Sequence, residues 1–276
     1  MSSRPLLVVD GDSFAHRAYH ALPSSIRRAD GAPGNALTGF TDMLVRLWQR
    51  ERPRAVVVGW DTLEVATYRH EAFSGYQSGR EFDPELLEQL AALPGFVATA
   101  GIVCGKAPGY EADDFLATAA AREEEAGGTA LVATSDRDAF QLASERTTIL
   151  QPVRGGEPAR IGPAEVRERY GVEPAQVPDF IALRGDPSDR IPGARGIGEK
   201  RAAELLARFG SLKAMLDEGR FGAEADALRL FRRIAVLDRS APLPPLADAE
   251  PDWPAAGRCA RQLGLEGLAG RLERAG

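Results

Sequence analysis

The sequence predicts an α/β fold, a mostly parallel sheet covered by helices, followed by a smaller all-helical part. Three observations carry that prediction. Short apolar runs of strand length recur along the first half of the chain, and they alternate with stretches of helical periodicity. Three of those runs end in acids, LLVVD at Asp10, AVVVGWD at Asp61 and ALVATSD at Asp136. After Gly155-Gly156 the strand-like runs stop and only helical spacing remains.

In chain order, Pro5 to Asp10 reads as a buried strand, and Leu37 to Trp48 as a helix with Leu37, Phe40, Leu44, Leu47 and Trp48 on one face. Ala55 to Trp60 is the next strand. From Thr62 to about Ala92 the pattern breaks into the polar, aromatic-bearing YRHEAFSGYQSGREF and the helix-like PELLEQLAAL, an insertion long enough to be a functional lid. Val97 to Val103 reads as a strand, Glu111 to Glu125 as a helix, and Thr129 to Thr134 and Thr147 to Val153 as strands. The helices that follow are Pro163 to Tyr170, Val177 to Leu183, Lys200 to Phe209, Leu212 to Leu216 and Ala223 to Leu237. A proline-rich strap, Ala241 to Pro254, leads into a last short helix. The expected organisation is an α/β domain over 1–162, with the insertion at about 62–95, and a helical domain over 163–276.

With 276 residues, 44% hydrophobic and 27% charged, the chain has room for one sizeable core and a small second domain. No apolar run approaches membrane-span length, and no secretory leader is legible, so the expected address is cytoplasmic. Cys104 and Cys259 lack metal-type spacing and read as small buried hydrophobes. The formal net charge of −6 argues against a nucleic-acid partner only if every acid is uncompensated. Nine acids fall in clusters, and neutralising those nine against −6 leaves +3, a mildly basic remainder.

The nine are Asp10, Asp61, Glu111, Asp113, Asp114, Asp136, Asp138, Asp186 and Asp189. In an open parallel sheet the carboxyl ends of the strands share one edge, and ligands bind in the crevice beyond it. Acids far apart in sequence would meet there. Two like charges about 4 Å apart repel by roughly 4 kcal/mol at an effective dielectric near 20, so such a cluster calls for a cation, and hard divalent metals prefer carboxylate oxygens. Each cluster has an ordinary reading as well. Asp10 and Asp136 can cap the helices after them, Glu111, Asp113 and Asp114 suit a helix N-terminus, and the Asp186 to Asp189 run can be an Asx turn.

A second motif is IPGARGIGEKRAAELLARFGSL, where Gly193, Gly196 and Gly198 punctuate a hairpin just before an amphipathic helix. Glycines let backbone approach a phosphate, and the helix N-terminus offers unpaired N–H groups. Arg195, Lys200 and Arg201 flank it. This reads as a helix-hairpin-helix, which grips phosphate without reading bases.

These motifs, VVDGDSFAHRAYHAL, WDTLEVATYRHEAFSGYQSGR, GYEADD, TSDRDAFQL, RGDPSDRIPGARGIGEK and FGSL, together resemble the 5′-nuclease or flap endonuclease family, found at the N-terminus of bacterial DNA polymerase I and as free-standing proteins. The resemblance runs nearly end to end, and it makes this chain similar to a stand-alone member. It implies a PIN-like sheet with a helical arch and a helix-three-turn-helix domain, and a structure-specific 5′-3′ exonuclease or flap endonuclease of replication and repair, cutting DNA by two metal ions. By that resemblance Asp10, Asp61, Glu111, Asp113, Asp114 and Asp136 surround one metal, while Asp138, Asp186 and Asp189 form the second group. Mg²⁺ is the implied ion, with Mn²⁺ able to replace it, and K⁺ at the Gly196 to Lys200 hairpin. Arg17 and Arg80 match positions that meet substrate phosphates, Arg69 is a further arch cation, and Tyr76 matches a base-stacking position. Where the family usually has Tyr-Lys, this chain has Tyr76-Gln77, which puts full turnover in question. The implied partner is DNA with a 5′ flap, nick or 5′ end, held by a monomer, with a polymerase or ligase as conceivable protein partners. Two other functions compete: a branched-DNA binder with little cleavage, and a haloacid-dehalogenase-type phosphohydrolase with Asp10 as nucleophile, which leaves GYEADD and the hairpin unexplained.

Overall fold

A computed structural model describes residues 4–79, 81–153 and 155–276. Its centre is a six-stranded sheet in the order β3-β2-β1-β4-β5-β6, built from β1 (Leu6–Asp10), β2 (Ala55–Gly59), β3 (Val103–Gly105), β4 (Ala130–Ala133), β5 (Thr147–Gln151) and β6 (Ala159–Ile161). The first five run parallel, and β6 closes one edge antiparallel to β5. The three central strands are apolar without alternation because both faces of the sheet are covered. Successive side chains therefore enter two different cores. Leu6, Val8, Val57 and Val132 point to one. Leu7, Val9, Val58 and Leu131 point to the other.

Helices α5 (Ala112–Glu125) and α7 (Val177–Arg184) bring Phe115, Leu116, Phe180 and Ile181 to the first core. That core continues through α6 (Pro163–Tyr170), α8 (Glu199–Phe209), α9 (Leu212–Asp217) and α10 (Ala225–Ala235). The second core takes Phe14 from α1 (Gly11–Ala21), Phe40 from α2 (Asn35–Glu51), Leu90 from α4 (Pro84–Ala98), Trp253 from α11 (Trp253–Gln262) and Leu268 from α12 (Glu266–Glu273). So the end of the chain returns across the sheet, and α11 and α12 pack on the far face rather than with α7 to α10.

Three expected elements change. The strand expected over Val97 to Val103 is only Val103–Gly105, because Val97 and Ala98 still belong to α4, whose Leu86, Leu90, Leu93 and Phe96 bury one helical stripe. The same helix takes up the end of the insertion, packing Leu86, Leu90 and Leu93 into the core, and the described residues before it, 62–79 and 81–83, carry one short helix, α3 (Tyr68–Ala72). The last short helix is a pair, α11 and α12, and neither α1 nor β6 is anticipated from periodicity. In α1, GDSFAHRAYHA, the buried stripe is Phe14 with small Ala15 and Ala18, and β6 is only ARI, so both leave a weak signal.

Candidate active site

Chain order turns at the middle of the sheet: β2 and β3 extend from one side of β1, and β4 and β5 from the other. A crevice opens at the carboxyl ends of such a pair because the following segments diverge to opposite faces. Here it is a cleft of about 920 Å³ whose walls carry eleven carboxylates and three arginines among the described residues. Asp10, Asp61, Glu111, Asp113, Asp136, Asp138, Asp186 and Asp189 all line it.

Local backbone chemistry places each acid. Asp10 ends β1 and caps α1, accepting from Ser13 N at 2.9 Å and from Thr134 Oγ1 at 2.6 Å, so both its oxygens are held. Asp186 follows helix α7 rather than a strand, so the dehalogenase pattern does not fit. Asp61 follows β2 and accepts from Ala112 N at 2.7 Å, which docks the start of α5 at the strand edge. Asp136 N donates to Thr134 Oγ1 at 3.0 Å and Asp136 Oδ1 accepts from Asp138 N at 2.8 Å, a short turn after β4 that aims both acids at the cleft. Asp186 and Asp189 lie on the turn after α7. Asp186 and Ile191 exchange backbone hydrogen bonds, and Gly185, at φ 84°, lies so close to the Pro192 and Ile191 carbonyls that a Cβ would sit 2.7 Å from each. Only glycine fits that turn.

Burial governs the electrostatics. Desolvation, with the charges of Asp61 and Asp136 behind it, raises Asp10 to about 7 against its two hydrogen bonds. Asp113 is pushed well above the carboxylate range by burial and by Asp136 and Asp10, and Asp138 by burial, Asp136 and Asp189. Burial lifts Asp189 to about 6. Asp113 Oδ1 is buried without a hydrogen-bond partner among the described residues. Carboxylate oxygens of this kind, desolvated and close to like charges, are the ligand type that hard cations prefer. No three of the described acids, histidines or cysteines already converge on one point, so the acids ring the cleft instead of forming a preset cage.

Several expected site residues sit elsewhere. Asp114 is fully buried and faces away from the cleft, paired with Arg69 at 2.7 and 2.9 Å and accepting from the backbone N–H of Glu111 and Asp238. Its lone pairs are used by the fold. Arg69, at 1% exposed, spends its guanidinium on Asp114, Glu111 and the Ile234 carbonyl, which makes it a buried counter-ion in this structure. Tyr76 lines the cleft but is only 4% exposed, with its hydroxyl donating to Glu111 Oε2. Gln77 lines the cleft and reaches Asp189. Arg17 lines it too, with Nη2 on the Val153 carbonyl at 3.0 Å. Arg80 lies outside the described residues.

Sequence reasoning missed Asp12, Arg137 and Arg184, which share the cleft wall. Asp12 accepts from Asp61 N at 2.8 Å, and burial and Asp61 raise its carboxyl well above the usual range. The signal was present in DGD, since a helix beginning at Gly11 puts Asp12 in its first turn beside Asp10. The hairpin between α7 and α8 is exposed at Arg195, Gly196, Gly198, Lys200 and Arg201; Gly196 takes φ 75°, and Gly198 caps α8.

Comparison with known proteins agrees with this architecture. The family model described as 5′-3′ exonuclease, N-terminal resolvase-like domain, matches residues 5–171, and that described as 5′-3′ exonuclease, C-terminal SAM fold, matches 172–253. DNA polymerase I of Mycobacterium tuberculosis is 40% identical over 239 residues, 85% of this chain and 26% of that protein. The thermostable DNA polymerase I of Thermus thermophilus is 39% identical over 279 residues, 98% of this chain and 32% of that protein. The chain thus spans about a quarter to a third of the curated relatives it matches. Among solved structures, the T5 D15 protein co-crystallised with metal ions superposes with a TM-score of 0.69 at 17% identity, covering 98% of this chain and 97% of that one. The catalytic core of Rad2 in complex with DNA substrate gives 0.59 at 18% identity, covering 99% and 91%. With an acid-lined crevice at the switch point of a parallel sheet, a helical part that adds Asp186 and Asp189 to it and two family models meeting at residue 171, the chain belongs to the 5′-3′ exonuclease family.

Proposed function

We propose that the cleft binds divalent metal, Mg²⁺ with Mn²⁺ as a substitute, and hydrolyses DNA phosphodiesters at 5′ ends and 5′ flaps. The observation that carries this reading is the buried, orphaned Asp113 Oδ1 in a cleft lined by acids from four separate parts of the chain. Asp10, Asp61, Glu111, Asp113 and Asp136 would hold one ion at the sheet edge, and Asp138, Asp186 and Asp189 a second at the turn. Bound there, the ions supply an activated water and stabilise the leaving oxygen of an in-line displacement.

The chain's own groups do the rest. Arg17, Arg137 and Arg184 bring the only described arginine charges to the cleft wall and would meet the phosphates flanking the scissile one. The α8 N-terminus, with Gly196 and Gly198 leaving backbone bare, would hold duplex phosphate, aided by K⁺ on hairpin carbonyls and by Arg195, Lys200 and Arg201. No side chain is a covalent nucleophile in this reading. The chain would act as a monomer on flap, nick or 5′-end substrates in cytoplasmic replication and repair, where a polymerase or ligase would handle the products.

A second reading, a branched-DNA binder with little cleavage, is favoured by one observation: position 77 is an amide rather than the usual arch lysine. The test is cleavage of a 5′-labelled flap by wild type and Asp136→Asn with Mg²⁺, Mn²⁺ or EDTA. Metal-dependent cutting near the junction, lost in the variant, supports the nuclease. Tight flap binding with no cutting in either metal transfers the reading to the binder.

A further inference from the structure

Two of the acids assigned to different ion sites are joined by hydrogen bonds that run through the arch. Tyr76 Oη donates to Glu111 Oε2 at 3.0 Å. Gln77 Nε2 donates to that Oη at 3.0 Å and to Asp189 Oδ1 at 2.9 Å. The backbone repeats the link, with Gln77 N donating to the Asp189 carbonyl at 3.1 Å. On the far side Thr67 Oγ1 donates to Glu111 Oε1 at 2.9 Å. The path Asp189, Gln77, Tyr76, Glu111, Thr67 therefore crosses the cleft from the turn after α7 to the base of the arch.

Gln77 holds φ 46°, a left-handed backbone that non-glycine residues adopt when surrounding contacts require it. Arg190, next to Asp189, is likewise at φ 59°, so both sides of the junction are shaped by it. The chemistry of an amide suits the place. Its NH₂ has two donors, one for each acceptor, and no charge. A lysine could reach the same acceptors, but its ammonium would pair with Asp189 and compete with any cation there.

The geometry points to Gln77 as a positioning residue, a neutral clasp that docks the arch on the acidic turn and sets the spacing of Glu111 and Asp189, coupling arch docking to divalent-cation binding. The coupling half rests on the metal-site reading above; the docking half does not. Because coupling is reciprocal, an ion in the cleft tightens the clasp by the factor that the clasp strengthens the ion.

The test uses the full chain, hydrogen exchange of the 73–79 and 186–190 segments in EDTA, and Mn²⁺ affinity read from the free-Mn²⁺ electron paramagnetic resonance signal. Gln77→Ala is expected to speed exchange in both segments and weaken Mn²⁺ binding by about tenfold each. Tyr76→Phe, which keeps the ring but breaks the path, is expected to do the same in part, and the double variant to add little to Gln77→Ala. Gln77→Lys separates the roles: exchange stays slow while Mn²⁺ affinity falls, a split that a purely structural side chain would not produce. Exchange in Gln77→Ala within about twofold of wild type overturns the clasp, and so does Gln77→Lys matching Gln77→Ala in both readouts. Wild type that fails to bind Mn²⁺ while the EDTA exchange responds as expected overturns the coupling and the metal-site reading together, leaving the docking role standing.

Discussion

The acids at the sheet edge and the acids on the turn after α7 face the same cleft but are held differently. Asp10, Asp61, Asp113 and Asp136 are fixed by strand ends and helix starts, and burial plus repulsion from neighbouring acids dominates Asp10 and Asp113. Asp186 is wrapped by its own turn: Oδ1 accepts from the Ser188 and Asp189 backbone N–H and from the Ser188 hydroxyl, and Oδ2 faces Arg184 at 3.2 Å. At the sheet edge Asp10 and Asp113 thus carry buried, mutually repelling charge, whereas Asp186 is met by its own turn and by Arg184. The difference says where a cation is needed most, and it can be broken by experiment.

The largest expected effect is on cleavage. Asp113→Asn removes a sheet-edge oxygen that nothing else in the described fold occupies, and the flap-cleavage rate should drop by about 10³-fold, the size of several kcal/mol of transition-state stabilisation. Asp186→Asn should drop it less, since one oxygen of that carboxylate is already committed to its turn. Equal losses in single-turnover rates would erase the distinction.

Asp114 is a sheet-side acid with a buried protein cation against it, and it sharpens the comparison. Arg69→Met should leave Asp114 buried and unpaired, costing about 3–5 kcal/mol in denaturant-monitored stability. A loss below about 1 kcal/mol would mean that water reaches Asp114 and that the contrast between balanced and unbalanced acids is false.

Next comes pH. A carboxyl that ionises near 7 when folded, and in the ordinary range when unfolded, binds its proton more tightly in the folded chain. Its contribution is present at low pH and lost as pH rises through about 7. In EDTA the melting temperature should therefore fall by roughly 5 °C between about pH 5.5 and 8, with Asp189, near 6, acting in the lower part of that window. Saturating Mg²⁺ should remove or reverse the trend, because a cation favours the charged carboxylates that protons otherwise neutralise. A metal-free melting temperature that rises with pH would contradict the sheet-edge electrostatics.

Much of this site was legible because strand ends announce themselves: an apolar run followed by Asp is readable in one dimension, and parallel order brings three such ends together. What the sequence could not show is which way a side chain faces. GYEADD puts Asp113 and Asp114 one residue apart, yet a helix turns them about 100° from each other, so one lines the cleft and the other meets Arg69. Arg69 and Tyr76 read as DNA contacts because an arch is expected to be exposed, but Ile234 and Glu111 claim them from distant parts of the chain. Such pairings have no local signature. Likewise α4 carries the composition of a lid helix on one face and core leucines on the other, and the core wins by burying Leu86, Leu90 and Leu93.

The smallest expected effect separates the two groups by sign. In metal-free protein at pH 8, Asp113→Asn takes one charge out of a repelling cluster and gives its orphaned position an N–H donor that neighbouring carboxylates can accept, so stability should rise by about 1 kcal/mol. Asp186→Ala takes the acceptor away from the Ser188 and Asp189 N–H groups and opens the Asx turn, so stability should fall by about 1–2 kcal/mol. Urea midpoints at constant m-value measure both. Two losses would mean that Asp113 is balanced by contacts the cleft geometry does not reveal. Two gains would mean that the turn, like the sheet edge, is strained by its charge and waits for the same ion.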